Sequence, residues 1–394
     1  MKLVITNTVH SMTEVQVYRT TLVIAPFDTG PASVQKSIFE ALGDLVVGTG
    51  AGTYARLPSP PTDNGKYLKR DTTIDEGFSW SDLGASMSAP FLVQIPGGGL
   101  LTDASTGFCD LGITEKTLLN SQFIKVNKFE KGESGQADLP FIPDIWNEGT
   151  VTAQLRMIAF DMNVIEDCED AWVAGTANVA VAADATIKAV GANSAKQTVN
   201  ATFTTGVVAT EVVTSMDLRS AQYIYCWFRS DVALDAADYS LLLDDTALCA
   251  SPVKTYDMPA IPANTWVLCE WAAGDVSGCA AIISVGIKQN VDKGAMICYI
   301  DQVGWTGNAT WGIQAATVDT GEVADVAWGT AQEYTAPIRY YTDTVIEFPT
   351  LTIGGTPEIG DRLRVQIYRK NNVSDTHGTA KASFAGAKLI MTKA

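Results

Sequence analysis

The stretch Tyr223-Ile224-Tyr225-Cys226-Trp227-Phe228 sets Ile224, Cys226 and Phe228 on one face of an extended chain and Tyr223, Tyr225 and Trp227 on the other. Successive side chains of a strand point to opposite sides, so the hexapeptide reads as a strand with a buried apolar face. Period-two runs of this kind, rich in Thr, Val and Ala and punctuated by Gly, Asn and Asp, continue through most of the chain, whereas helix-period stripes are short and scarce. The expected fold class is all-β. The clearest helical candidate is Ala32 to Leu42, with Pro31 at its start and Gly43 as its C-cap.

The 394 residues allow two or three domains, and 46% apolar residues suffice to bury proper cores. Forty-four acidic against 27 basic residues give a net charge of -17, which repels a phosphate backbone and argues against nucleic acid as a partner. His10 and His377 are the only histidines, so histidine-based metal sites and most Ser-His or Cys-His hydrolases lack their parts. No apolar run reaches the roughly 18 residues of a membrane span, and Met1 to Asn7 is too short for the core of a signal peptide, so a soluble protein without membrane insertion is expected. The seven cysteines form no C-x-x-C pair and read as reduced, small hydrophobes; Cys226, between Ile224 and Phe228, is the model for the rest.

Along the chain, residues 1–42 read as an attachment segment. Residues 43–120 are rich in Gly, Pro, Ser and Thr and read as a shaft or a linker: their short apolar stretches cannot close a core alone, which favours an intertwined or oligomeric arrangement. Residues 163–306 read as a self-contained unit, running from Val164-Ile165-Glu166-Asp167 to Tyr299-Ile300-Asp301-Gln302-Val303. A module whose first and last strands lie together can be inserted into another domain, here one formed by 121–162 and 307–394.

Three sets of residues carry resemblances. Gly43-Asp44-Leu45-Val46-Val47-Gly48-Thr49-Gly50-Ala51, Arg56-Leu57-Pro58 and Gly77-Phe78-Ser79-Trp80 resemble a stretch common in tail-fibre and other virion proteins of tailed bacteriophages. Lys66, where that pattern has valine, and the Pro60-Pro61 insertion depart from it. Pro143-Asp144-Ile145-Trp146, Gly149-Thr150-Val151-Thr152, Gly355-Thr356-Pro357 with Gly360-Asp361, and Ser374-Asp375-Thr376 resemble a phage virion β-sandwich, its pieces in order but split by the 163–306 module. That module is similar to the galactose-binding-like jelly rolls found as carbohydrate-binding modules: Asp167-Cys168-Glu169-Asp170-Ala171-Trp172 and Tyr299-Ile300-Asp301 match their two ends, with Cys168 in place of the usual Phe, and Ile261 to Trp266 fits a core strand.

The resemblances imply a sandwich interrupted by a jelly roll in a structural component of a phage virion, either a tail fibre or a head fibre or decoration protein, assembled in the host cytoplasm as a homotrimer and bound to other virion proteins. They imply weak, multivalent binding to host surface polysaccharide. They also imply a structural calcium at Asp167, Glu169 and Asp301, whose oxygens suit that ion; the bland alternative is solvated acids at strand ends. Trp172, Tyr225, Trp227, Trp271 and Tyr299 are the candidates for stacking on sugars, though aromatics in sandwiches are more often core. No catalytic residues are expected. Gly48-Thr49-Gly50-Ala51-Gly52 lacks the spacing and the lysine of a phosphate loop, and Ser374-Asp375-Thr376-His377 places three triad residue types in one turn, where they cannot converge. Two rivals stay open: a purely architectural decoration protein, and a glycan depolymerase whose paired carboxylates local sequence cannot reveal.

Overall fold

The structure is a computed structural model that describes residues 45–50, 53–57, 66–70, 78–82, 91–97, 99–102, 107–116, 123–139, 150–318, 327–356 and 361–391. The chain divides into two compact units, Met1–Ser88 and Ala89–Ala394. In the first, Leu45–Gly50 pairs antiparallel with Thr53–Leu57, and Lys66–Arg70 with Phe78–Asp82. Gly48 and Gly50 thus lie in a strand that leads to another strand, not to a phosphate-binding helix. The attachment segment 1–42 and the helix expected at 32–42 lie outside the described residues.

The second unit holds two stacked-sheet bodies. One is built from both sides of the 163–306 segment. Its seven-stranded sheet runs Gln332–Pro337, Asn308–Val318, Arg362–Arg369, Glu133–Leu139 and Leu101–Thr102, with Ile353–Gly354 and Gly107–Phe108 attached in parallel. Its six-stranded sheet runs Thr344–Phe348, Val151–Ile158, Ala382–Met391, Phe123–Phe129 and Asp110–Lys116, with Phe91–Pro96 beside Ala382–Met391. Burial alternates along Val151–Ile158, and Leu155, Trp311, Ile313, Val365, Ile367 and Phe384 are sealed between the sheets. Phe129 meets the Trp311 ring edge-on at 5.1 Å.

This sandwich starts well before position 121, which corrects the shaft reading for residues 91–116. Phe91–Pro96 pairs with Ala382–Met391 from Met391↔Phe91 to Gly386↔Pro96, and Ile95, Leu100 and Cys109 are buried in the shared core. The partners are other strands of the same chain: Phe91–Pro96 lies on the C-terminal Ala382–Met391, Leu101–Thr102 and Gly107–Phe108 lie on Glu133–Leu139, and Asp110–Lys116 lies on Phe123–Phe129.

The other body is a jelly-roll-like sandwich. Its six-stranded sheet runs Val179–Asp184, Ser194–Val199, Met296–Thr306, Tyr223–Ser230 and Val267–Ala272, with Asn163–Glu166 beside Met296–Thr306; its five-stranded sheet runs Val173–Ala174, Gly206–Met216, Ile282–Gln289, Tyr239–Asp244 and Lys254–Asp257. Ile224, Cys226 and Phe228 are fully buried between them with Leu241, Val285 and Ile300. All seven cysteines are free and buried. Among the described residues there is no α-helix, and no helix long and apolar enough to cross a membrane.

The chain enters and leaves this body side by side, with Asn163 opposite Trp305. Met296–Thr306 passes into Asn308–Val318 through Gly307, where a Cβ would collide with the Thr376 carbonyl, so only glycine makes the step. Asn163 seals the junction: its Nδ2 donates to the His377 carbonyl at 2.5 Å, and its Oδ1 accepts from the amides of Thr379 and Ala380 at 3.1 and 3.2 Å.

Candidate functional site

The outer face of the jelly roll's six-stranded sheet carries the side chains that alternate with the core: Tyr223, Tyr225, Trp227 and Arg229 from one strand, Tyr299 from the next. Half of this face is covered by the other sandwich. Tyr225 is fully buried there, its ring 5.7 Å from Tyr340, and its hydroxyl accepts from the Tyr340 amide at 3.1 Å and from the Thr306 hydroxyl at 3.4 Å. The Arg339 guanidinium sits 5.4 Å from the Tyr223 ring centre and forms an ion pair with Glu270. Leu268 packs against the same foreign core. The aromatic end of the face is therefore an interdomain seam.

At the other end Trp227, Arg229 and Lys196 are half-buried and Asn264 is exposed, while Tyr299 is 3% exposed. Tyr299 lies beneath two cations, with Arg229 at 5.3 Å and Lys196 at 5.8 Å from its ring centre, and Trp266 flanks it at 6.3 Å. Arg229 donates to the Asn264 side-chain oxygen at 3.0 Å, while Lys196 faces Asp184 at 3.5 Å. Trp227 stands between the seam and this cluster, half-buried, with its indole N–H shielded and unpartnered. Aromatic rings beside cations and an amide supply what a sugar site needs: an apolar surface for ring faces and directional groups for hydroxyls.

The five aromatic candidates thus fall in different places. Trp172 is 1% exposed in the jelly-roll core, and Tyr225 is sealed in the seam, so neither can stack on a ligand. Trp271 packs against the core and beside Tyr256 at 5.5 Å, and its N–H donates to the Asp257 carbonyl at 2.6 Å. Tyr299, 3% exposed beneath Arg229 and Lys196, offers no ring face to a ligand either, and Trp227 stays half-buried at the end of the face away from the seam. Sequence reading missed Arg229, Lys196 and Asn264 and placed Trp266 in a core strand, whereas it precedes the strand Val267–Ala272. The signal for Arg229 was available: it lies two residues beyond Trp227, on the same face of the same strand.

The three candidate calcium ligands do not converge as one metal site. Asp167 is exposed, and its Oδ1 accepts from the Glu169 amide at 3.2 Å. Glu169 accepts from the amides of Ala192 and Asn193, both at 2.8 Å, and Asp301 from those of Ala189 and Val190 at 2.8 and 2.9 Å. Among the described residues no three His, Cys, Asp or Glu side chains cluster as a metal site. Asp301 Oδ1 and Gln302 Oε1 are nevertheless buried without partners, and both are hard oxygens of the kind calcium takes. Burial, opposed by its two amide partners, pushes the Asp301 carboxyl up to about 6; burial likewise pushes Glu166 up to about 7.

The Ser374–His377 turn is a structural hub. Arg369 is fully buried and grips Asp375 through two bonds of 2.8 Å, while its Nη1 donates to the carbonyls of Phe129 at 3.0 Å and Ala380 at 2.8 Å. His377 Nδ1 accepts from the Gly307 amide at 3.3 Å; burial above all, then Arg369, holds the imidazole down at about 3. Asp375 is committed to arginine and cannot orient the imidazole. A separate groove of about 510 Å³ opens on the six-stranded sheet of the other body, lined by Gln94, Gln154, Arg156, Val345 and Lys388 among others; among the described residues no Asp, Glu or His lines it.

No family model and no curated protein matches the sequence. Among solved structures, similarity extends to the N-terminal CBM22-1-CBM22-2 tandem domain of Paenibacillus barcinonensis Xyn10C, 10% identical over 60% of this chain and 99% of that one, with a TM-score of 0.24. A family 30 carbohydrate-binding module is similar at 10% identity over 44% of this chain and 91% of its own, TM-score 0.26. A triple jelly roll structure from the turret assembly of an archaeal virus follows at 10% identity over 73% and 91%, TM-score 0.17. Scores this low carry nothing about ligand or partner.

Proposed function

We propose that the chain is a non-enzymatic structural protein of a tailed-phage particle, a tail fibre or a head fibre or decoration protein, whose jelly roll makes weak, multivalent contacts with glycans on the host surface. The observation that carries the glycan part is the end of the outer face away from the seam, where half-buried Trp227 shares a strand face with Arg229, and Trp266, Lys196 and Arg229 gather around the buried Tyr299 ring, with Arg229 held by Asn264. The virion part rests on the sequence likeness of residues 43–80 and of the split sandwich. Self-association as trimers belongs to the same reading, because repetition of a shallow site supplies avidity without a deep pocket.

The full-length protein is tested for retention on immobilised host-envelope polysaccharide, with Trp227→Ala and Trp266→Ala alongside. Retention weakened by both substitutions supports the reading. No retention, together with particles that become less stable when the chain is omitted, favours pure architecture. Release of reducing ends that stops on substitution of a single Asp or Glu would overturn the non-enzymatic assignment.

A further inference from the structure

A sheet face that binds the middle of a polysaccharide must let the chain run on in both directions. Here one direction is shut. Past Trp227 the face is filled by Tyr340 over Tyr225 and by Arg339 over Tyr223, in contacts continuous with the core of the second sandwich. At the flank, the segment 189–193 is tied down by Asp301 and Glu169, whose carboxylates each take two of its amides. What remains is a shelf with a back wall.

The charge on that shelf is specific. Lys196 is offset by Asp184 at 3.5 Å, but the Arg229 guanidinium has a neutral partner, Asn264, and an aromatic ring beneath it. Among the described residues no carboxylate forms an ion pair with Arg229 in a chain of net charge -17. A half-buried guanidinium fixed in orientation by an amide and a ring, with donors left over, is the group that pairs with a planar carboxylate.

We infer that this face takes the end of a glycan chain whose terminal sugar carries a carboxylate, its ring against Trp227 or Trp266 and its carboxylate on Arg229. The inference rests on the glycan reading above and narrows it from host polysaccharide in general to acidic termini.

The test uses the full-length protein on a surface displaying three probes: chains ending in glucuronic acid, the same chains capped beyond it by glucose, and chains ending in glucose. Retention on the first exceeds the other two by about tenfold or more, the worth of one charge-assisted contact. Arg229→Gln brings it down to the level of the glucose-ended chains while the thermal melt stays unchanged. Equal retention of capped and uncapped acidic chains overturns the inference, as does equal retention of the neutral ends; both leave glycan binding standing. Retention on host polysaccharide with none of the three probes held also overturns it, and retention on nothing removes the glycan reading as well.

Discussion

Replacing Asp375 by alanine removes both oxygens that hold Arg369 and leaves the guanidinium where it is. Arg369 and Asp375 have fully buried side chains, so no water replaces the lost acceptors. Two of its four hydrogen bonds go, and those to the Phe129 and Ala380 carbonyls keep the cation trapped. Breaking a buried pair from one side costs about 3–5 kcal/mol, against roughly 0–1 for a surface pair. At about 2–4 °C per kcal/mol for a body of this size, the sandwich melts roughly 6–20 °C lower. Urea denaturation followed by tryptophan fluorescence reads the free energy, and scanning calorimetry the midpoint. The double variant Arg369→Met/Asp375→Leu recovers much of the loss, since an apolar pair leaves no orphaned charge. A single variant within about 1 kcal/mol of the parent, or a double variant worse than the single, refutes the reasoning.

Three further outcomes follow from the same geometry. His377 has a folded pKa of about 3 against 6.5 for the free side chain, so between those values the unfolded chain binds the extra proton; stability falls as pH drops below 6.5, and Asn or Gln at this position flattens that limb of the pH–stability curve. Tyr225→Phe keeps the ring but strips the acceptor from the buried Tyr340 amide, costing about 1–3 kcal/mol and raising hydrogen exchange at that amide; exchange that stays unchanged counts against the seam as described. Burial raises the Cys109 and Cys249 thiols to about 11 and pushes Cys226 and Cys298 up as well, so Ellman's reagent finds no fast-reacting thiol among the seven at neutral pH until denaturant is added.

The local half of the fold could be read from the residues. Alternation in Tyr223–Phe228 gives the strand and its buried face directly, because Ile224, Cys226 and Phe228 have no other apolar place to go. The all-β class follows from many such runs. What could not be read is which distant strand completes a local one. Phe91–Pro96 looks like linker because its partner, Ala382–Met391, lies near the other end of the chain. The candidate site suffered from the same blindness. Tyr225 and Trp227 have the same local pattern, and only the approach of Arg339 and Tyr340 from another domain makes one a seam residue and leaves the other beside open solvent. Asp167, Glu169 and Asp301 read as a ligand set because the sequence does not show backbone amides, and it is from amides of the 189–193 segment that Glu169 and Asp301 accept.

The paired crossing at Asn163 and Gly307 also has a mechanical side. Two strands tie the outer module to its base, and they are hydrogen-bonded to each other where they cross, at Asn163↔Trp305. A tug on the module is therefore shared by two covalent leashes running in parallel, with the Asn163 side chain and the Thr376 hydroxyl, which donates to the Ser220 carbonyl at 3.3 Å, cross-bracing them. Such a module resists swivelling and stretching far better than one hung from a single tether, so a load on it is carried into the base sandwich through both leashes at once.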